Sequence, residues 1–518
     1  MSQVKKSAKS VGMIMVISLG SKVLGFFREA LIASRYGSGA GTDTFFIALS
    51  AIALFSGIIS QTINTTLIPV LSDVEVHEGK ASKKSHFNNF LNTLLVVAIL
   101  LTGLAFLLAP DIMSIVAKGF EGEQFEQAVS MMRVGLPILI VSTVVGSYVG
   151  YLQTEEKFTE AALTAIPFNF VYIFFLLFLA TRFSIMALMV TSVVAEIAKL
   201  LVVVPNLKKL EYRYEWIIDL KDKYMKQVAY LIPPVLLSVG ISDVNSMVDR
   251  SMASSLAEGS VSSLKYANTL NAIVYGVFIS AIITVVFPML AKEANARNYD
   301  RLKKIMQTSM NIVLLIMIPA TIGMIILAEP AVKFAYQRGE FGDRAAWMTQ
   351  TALIAYSVGL VGIGVKNLLV RIFYALQDTK TPMINSAYAL VSNVLLNLLF
   401  VRYLDHVGLA LATSLTTIFT AGLLLYELRK KIGPLGMSAM LQSSLKISIS
   451  SVVMGVVVYV LYDYGVVALA PSRLVELILL GLVIGLGLLV YLACLYFFKV
   501  EELSFLIDNV KKQLGKDE

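Results

Sequence analysis

The chain has 518 residues, of which 57% are hydrophobic and 15% are charged, and its formal net charge is +8. Soluble domains carry about a quarter charged residues, so this composition excludes a water-soluble globular protein. A single cysteine excludes an intrachain disulfide, and three scattered histidines argue against a metal site.

Apolar runs of about 20 residues recur along the chain, which is the length that a helix needs to cross a hydrocarbon layer. The alternating ten-residue segments of a transmembrane β-barrel are missing. We therefore predict an all-α polytopic membrane protein with about fourteen transmembrane helices. In chain order, the spans are expected near 10–34, 42–74, 86–109, 125–153, 159–181, 183–206, 224–255, 261–291, 302–328, 345–377, 380–402, 407–428, 442–464 and 473–498.

Lysine and arginine are concentrated in the loops on the same side as the two termini. The positive-inside rule therefore places both termini in the cytoplasm. The same bias accounts for the net positive charge. No soluble basic module is visible, so a nucleic-acid partner is not expected.

A weak internal repeat relates two helix pairs at an offset of about 220 residues. Ala33–Leu71 parallels Ala253–Leu290, with a Gly/Ser loop between the two helices and a proline near the end of the second. Six helices per repeat predict two lobes of the same orientation, followed by two extra helices. The lobes are 1–215 (helices 1–6) and 216–432 (helices 7–12), and 433–518 adds helices 13 and 14 and a cytoplasmic tail. Residues 206–226, which include Trp216 and several lysines, predict an interfacial linker between the lobes.

Charged side chains interrupt the first span, where an ionised group is costly. Glu29 lies seven residues after Lys22 on the same helix face, and Arg28 lies about 120° away. Gly20 and Gly25 allow a bend that turns both cations toward one cavity. A local ion pair, or a side chain that extends to the membrane surface, is the alternative for Arg28.

Polar residues form a stripe along the second span, and a polar stripe in lipid must face inward. The stripe either lines a cavity or joins helices through hydrogen bonds. Its members are Asp43, Ser50, Gly57, Ser60, Gln61 and Asn64.

Oxygen-bearing side chains also cluster in the predicted seventh, eleventh and twelfth helices. Around one buried carboxylate they can hold a hard monovalent cation, and hydrogen bonding between helices is the alternative. The seventh helix has Ser238, Ser242, Asn245 and Asp249 on one face, and Asp243 and Arg250 can pair on another. The eleventh helix has Asn393 and Asn397 one turn apart, and the twelfth has Thr413, Thr416, Thr417 and Thr420 on one face.

Sequence motifs of an ATPase or a hydrolase are missing, including the phosphate-binding loop and the nucleophile elbow. We therefore predict no enzymatic activity and no cofactor. Transport is expected to depend on the membrane potential or on Na⁺ or H⁺ as coupling ion.

Several segments, in order over residues 20–415, resemble the MurJ (MviN) flippases of the multidrug/oligosaccharidyl-lipid/polysaccharide exporter superfamily. They are Ser21–Glu29, Gly41–Phe46, Val248–Arg250, Glu258–Ser262, Tyr266–Asn268, Gln337–Phe341, Leu369–Pro382 and Gly408–Ser414. The resemblance implies a flippase that moves a polyprenyl-pyrophosphate-linked saccharide, the peptidoglycan precursor lipid II, from the inner to the outer leaflet by alternating access. It also implies contact with cell-wall synthesis proteins.

The resemblance further implies roles for individual residues. Lys22, Arg28 and Asp43 correspond to cavity positions of this family, which acts in the bacterial plasma (inner) membrane. Together with Gln61 and Asn64 of the polar stripe and Arg250 of the seventh helix, they are the expected substrate-binding residues. The expected cation ligands are Asp249, Asn393, Asn397 and Thr413, which resemble a sodium site of some members. Cations would pair with the lipid pyrophosphate, and Asp43 would pair with an arginine or lysine when the cavity is empty.

This sequence also departs from the family pattern. Lys22 stands where the family has arginine, and Phe55, Ser56 and Thr269 stand at three further arginine positions. The cavity should therefore be less cationic, which leaves a flippase for an exopolysaccharide or O-unit open. Drug/cation antiport and a non-transporting scaffold for cell-wall synthesis are two further alternatives.

Overall fold

The computed structural model describes residues 2–469 and 472–500, and for residues 2–12, 14, 15, 231–243 and 469 it describes only the backbone. The predictions for Ser238, Ser242 and Asp243 therefore lie outside the described side chains. Helices make up nearly all of the described chain, which contains no strand. The predicted all-α class is confirmed.

The chain divides into two compact units after Ser262, and the short segment Arg338–Gly342 belongs to the first unit. The lobe boundaries expected from the repeat stay a prediction. The helices of the first unit are α1 (Ser2–Tyr36), α2 (Ala40–Thr62), α3 (Ile68–Leu107), α4 (Ala109–Val116), α5 (Gly122–Gly135), α6 (Pro137–Thr154), α7 (Phe158–Leu163), α8 (Ala165–Phe178), α9 (Ile185–Ala198), α10 (Leu200–Lys209) and α11 (Lys223–Ser254).

The second unit begins inside the next helix and runs to the last two hydrophobic helices. Its helices pack around an apolar core that includes Met306, Phe373 and Leu424. The helices are α12 (Ser260–Asn295), α13 (Tyr299–Ile326), α14 (Ala328–Tyr336), α15 (Asp343–Ser357), α16 (Leu360–Ala375), α17 (Lys380–Ile432), α18 (Met437–Leu469) and α19 (Arg473–Phe497).

Within the described residues, nine helices are long and apolar enough to cross a membrane, and a bent pair makes a tenth. Two of the nine are far longer than one crossing: Ala40–Leu107 has 68 residues and Lys380–Ile432 has 53. At 1.5 Å per residue they extend about 100 and 80 Å, against a hydrocarbon thickness of about 30 Å. Each therefore covers two predicted spans, and a total of fourteen is compatible with these bounds but stays a prediction.

A buried lysine fixes the bend at which the first of these long segments turns. The backbone leaves helical geometry at Gly79, where φ is 85°. Just beyond the bend, the Lys83 Nζ lies 2.6 Å from a carboxylate oxygen of Glu75 and 2.6 Å from one of Glu155. Because the Lys83 side chain is only 1% exposed, its charge needs both partners. The triad joins the two sides of the bend to the end of α6.

Residues 212–219 run without regular secondary structure along one face of α3. Three asparagines of α3 bind this linker through its backbone: Asn88 donates to the carbonyl of Arg213, Asn92 donates to those of Glu215 and Ile217, and Asn89 bonds both backbone groups of Asp219. Trp216, Ile218 and Leu220 remain exposed. The predicted interfacial linker is thus an extended segment whose backbone is bound and whose apolar side chains face outward.

Replacing Asn89 with alanine should release the end of this linker. The Asp219 amide donates to the Asn89 Oδ1 at 2.7 Å, and a lost hydrogen bond leaves that amide open to exchange. Hydrogen exchange at Asp219 should accelerate roughly tenfold. Asn206→Ala is the control, because the Asn206 amide bonds only the Val202 carbonyl of its own helix. Unchanged exchange at Asp219 in Asn89→Ala would contradict this role.

The two ends of α17 are joined outside the membrane by Asp378. This helix turns back at Asp405, where φ is 46°. The Asp378 carboxylate accepts hydrogen bonds from the Thr381 backbone amide at 2.9 Å and hydroxyl at 2.7 Å, and from the Lys431 Nζ at 2.5 Å. Burial raises the pKa of the Asp378 carboxyl, but the Lys431 and Thr381 donors outweigh burial and lower it to about 2.

This contact should make stability depend on pH in acid. Because the folded-state pKa is depressed below the ordinary value of 3.8, the stabilisation is complete above about pH 4 and is lost as the pH falls toward 2. Asp378→Asn should remove this part of the pH dependence of unfolding in detergent, and Lys431→Met should reduce it. An unchanged wild-type profile in both variants would contradict the assignment.

Candidate functional site

Arg28 of α1 is held inside the first unit by one carboxylate and two aromatic rings. Its Nη2 donates to the Glu29 Oε1 at 2.8 Å, and the two side chains are 21% and 7% exposed. Its guanidinium carbon lies 5.4 Å from the ring centroid of Phe168 and 5.1 Å from that of Tyr172. Cation–π attraction strengthens when the cation is desolvated, so the rings stabilise this charge away from water.

A cavity of about 210 Å³ opens beside Arg28. Its wall is mostly apolar and comes from α1, α2, α6, α8 and α9. The side chains that bring charge, hydrogen-bonding groups or aromatic rings to it are Arg28, Glu29, Phe45, Phe46, Ser56, Phe168, Tyr172, Ser192 and Glu196. An apolar cavity with a few convergent polar groups is the usual form of a ligand site.

A second ion pair adjoins this cavity through Glu196, which lines the wall together with Phe168, whereas Lys199 itself is not part of the wall. The Lys199 Nζ is 2.7 Å from a carboxylate oxygen of Glu196 and 4.7 Å from the ring centroid of Phe168. The Tyr172 hydroxyl donates to the Ser192 Oγ at 2.6 Å. Neither Glu196 nor Lys199 is among the residues predicted from the sequence, although they are two charges three residues apart within an apolar run.

Asp43 lies near the start of α2, where its buried carboxylate receives the first turn of α12. The Asp43 Oδ1 accepts from the Ser262 amide at 2.8 Å and from the Ser262 hydroxyl at 2.6 Å, and its Oδ2 accepts from the Gly259 amide at 2.7 Å. These amides belong to a helix N-terminus, which lacks internal acceptors and favours negative charge. Asp43 is therefore a capping residue of α12 in this conformation.

The reverse contact caps α2. Glu258, just before α12, accepts through its Oε1 from the Ala40 amide at 2.7 Å. Ser38 adds a hydrogen bond from its hydroxyl to the Gly259 carbonyl at 3.0 Å. Gly259 has a φ of +88°, and a Cβ there would lie 3.0 Å from the Ser38 carbonyl oxygen. The two helix starts are thus joined by reciprocal caps across a close backbone approach.

Of the predicted substrate-binding residues, Arg28 lines the cavity. Lys22, Gln61 and Asn64 are exposed, and Arg250 is half-buried on α11. The cavity wall does not include Lys22, so the structure does not bring both helix-one cations to it. The ligand roles of these residues stay predictions.

The predicted cation ligands are divided between the units. Asp249 lies half-buried on α11 in the first unit. In the second unit, Asn393 and Asn397 are fully buried, and the Asn397 amide donates to the Asn393 Oδ1 at 3.0 Å. The Thr413 hydroxyl donates to the Leu409 carbonyl of its own helix at 3.0 Å. The predicted cation site stays a prediction.

Comparison with known proteins places these features in a family context. The model of the lipid II flippase MurJ family matches residues 32–479. A probable lipid II flippase MurJ of Rickettsia prowazekii is 27% identical over 487 residues, covering 93% of this chain and 95% of that protein.

Two solved structures share the fold. A lipid II flippase MurJ in an inward closed conformation has a TM-score of 0.78 at 23% identity, covering 94% of this chain and 98% of its own. An inward-facing multidrug resistance MATE transporter of the MOP superfamily has a TM-score of 0.66 at 16% identity, covering 83% and 95%.

Asp43→Asn should loosen the start of α12. An asparagine places one NH₂ group against an amide that is itself a donor, so at least one hydrogen bond is lost. The expected cost is about 1–3 kcal/mol, with faster hydrogen exchange at Gly259 or Ser262. Glu258→Gln is the matched control, because its amide oxygen can still accept from the Ala40 amide. Equal behaviour of the two variants would argue against the capping role.

Proposed function

The chain belongs to the lipid II flippase MurJ family, and we propose that it moves lipid II, a polyprenyl-diphosphate-linked saccharide, from the inner to the outer leaflet. It is a multi-pass protein of the bacterial inner membrane. Transport proceeds by alternating access, with both termini in the cytoplasm and without chemical turnover of the substrate.

The observation that carries this proposal is the position of Arg28. An ionised side chain within a membrane helix is costly and marks a functional site by default. Arg28 faces a cavity, and its planar guanidinium matches the oxygens of a phosphate group in a bidentate manner. A diphosphate headgroup is therefore the ligand that best suits this cavity.

The reciprocal caps suit a gate on the outer side. With cytoplasmic termini, the loops after α1 and α11 face the outside, where Asp43 and Glu258 bind the starts of α12 and α2. Several hydrogen bonds, each worth about 1 kcal/mol net, fix these helix starts in the present conformation and can be broken during a transport cycle. In this proposal, Asp43 acts on the gate rather than on the substrate directly.

The driving force is part of the proposal. The membrane potential, or Na⁺ or H⁺ as coupling ion, would supply the energy of return, since one charge moved through 100 mV yields about 2.3 kcal/mol. Asp249, Asn393, Asn397 and Thr413 remain the proposed cation ligands. Proteins of cell-wall synthesis are the proposed partners.

A second candidate keeps the mechanism and changes the glycan. Ser56 lines the cavity at a position where the family pattern has arginine, so the headgroup meets fewer cations there. A flippase for an exopolysaccharide or O-unit linked to the same lipid would fit such a cavity. Rescue of a strain depleted of its lipid II flippase separates the two, since only a lipid II carrier restores growth.

Arg28→Ala should abolish that rescue while the amount of protein in the membrane is unchanged. The loss of a charge-assisted contact of about 1.5–3 kcal/mol should weaken headgroup binding roughly ten- to hundredfold. Arg28→Lys keeps the positive charge but loses the bidentate hydrogen bonding of the guanidinium, so it should restore growth only partly.

Arg133→Ala is the matched control for this test. Arg133 also lies over a phenyl ring, 5.1 Å from the centroid of Phe106, but it does not belong to the cavity wall. Rescue should be normal in this variant. Full rescue by Arg28→Ala, together with normal lipid II translocation in vesicles, would defeat the proposed function.

A further inference from the structure

Lys199 lies in the middle of a membrane-spanning segment. It separates α9 from α10 within the span Ile185–Lys209. At 1.5 Å per residue, it is about 21 Å from one end of this span and about 15 Å from the other. A charged side chain inside such a segment is costly, and its retention indicates a role in the interior.

Lys199 and Arg28 share one aromatic ring. The Lys199 Nζ lies 4.7 Å and the Arg28 guanidinium carbon 5.4 Å from the centroid of Phe168, which places the two cations within about 10 Å of each other. A diphosphate carries two adjacent phosphoryl groups. With charge-assisted hydrogen bonds of about 2.8 Å at each end, its length is comparable with this separation.

A carboxylate occupies each cation in the present conformation. Glu29 pairs with Arg28 at 2.8 Å and Glu196 pairs with Lys199 at 2.7 Å. The two carboxylates are 5% and 6% exposed, and the four side chains together have no net charge. A buried charge that loses its partner is strongly destabilised. An incoming anion must therefore replace both carboxylates, and the carboxylates in turn favour its release.

We propose that Lys199, the ion-pair partner of the cavity residue Glu196, is the second phosphate-binding residue, with Glu196 as its exchangeable counter-ion. Arg28 binds one phosphoryl group of a lipid diphosphate and Lys199 binds the other, in exchange for Glu29 and Glu196. This inference rests on the proposed function and adds a preference for diphosphate over monophosphate. No covalent bond is formed or broken.

Lys199→Met tests the inference through that preference. The purified full-length protein, in nanodiscs of phosphatidylcholine, is titrated with polyprenyl diphosphate and with polyprenyl monophosphate. The variant should bind the diphosphate at least about tenfold more weakly and should bind the monophosphate almost as well as the wild type. If Lys199 had a purely structural role, the substitution would weaken the binding of both ligands to the same extent.

Lys157→Met is the matched control. Lys157 also pairs with a glutamate three residues away, at 3.8 Å from the Glu160 carboxylate, but it is 47% exposed, and Glu160, unlike Glu196, does not line the cavity. Lys157→Met should bind both ligands with the affinity of the wild type. Lys199→Arg should restore the diphosphate preference, and it also keeps the test open if the methionine variant does not fold.

Glu196→Gln should act in the opposite direction. It keeps the shape of the side chain but removes the competing charge, so diphosphate binding should tighten several-fold and release into the outer leaflet should slow. A wild-type diphosphate-to-monophosphate ratio in Lys199→Met would overturn the inference, as would unchanged binding in Glu196→Gln. If Arg28→Ala also binds normally, the proposed function fails; if only Arg28→Ala loses binding, the proposed function stands without Lys199.

Discussion

An ionised side chain inside a hydrocarbon layer persists only beside a partner of opposite charge or a donor that replaces water. This constraint organises the first unit. Arg28 and Glu29, and Glu196 and Lys199, are held within 2.7–2.8 Å. Lys83, which is buried at the bend between two predicted spans, meets the same requirement with two glutamates at 2.6 Å. Asp43 is instead bound by backbone amides and a hydroxyl. The fixed contacts shape the scaffold, and the two pairs beside a cavity are the ones that a ligand can replace.

The reciprocal caps lie at the two corners that the internal repeat relates. The loop before α2 and the loop before α12 occupy equivalent positions about 220 residues apart, and each supplies contacts to the start of the other helix. The acids are not equivalent: Asp43 lies inside the first turn of α2, whereas Glu258 precedes α12. The two corners related by the predicted repeat therefore bind each other through acids at different positions. Asp43 accepts three hydrogen bonds and Glu258 accepts one, so the two contacts differ in strength.

The sequence was sufficient for the helices, because a run of about 20 apolar residues has few alternatives in a membrane. It also singled out Arg28, which lines a cavity, since the cost of burying a charge is a local property. It did not find Glu196, Lys199 or Phe168, because their proximity to Arg28 is created by packing between distant helices. The partners of Asp43 were expected to be cations and are backbone amides, which carry no signature in the sequence. Helix geometry predicts that Lys22 and Arg28 face one cavity, but only Arg28 lines it, because the packing of neighbouring helices decides which face of α1 is buried.

The linker between α10 and α11 is bound by asparagine amides that contact mainly its backbone, and the Tyr212 and Tyr214 hydroxyls add hydrogen bonds to Asn88 and Asn92. Apart from these two tyrosines, this attachment does not depend on which side chains the linker carries. Positions such as Trp216 and Ile218, which point away from the asparagines into the surroundings, are therefore free to diverge between relatives while the path of the chain is kept. The same property makes this strip a suitable place for a spectroscopic label, which would report on the movement of α3 without disturbing its attachment.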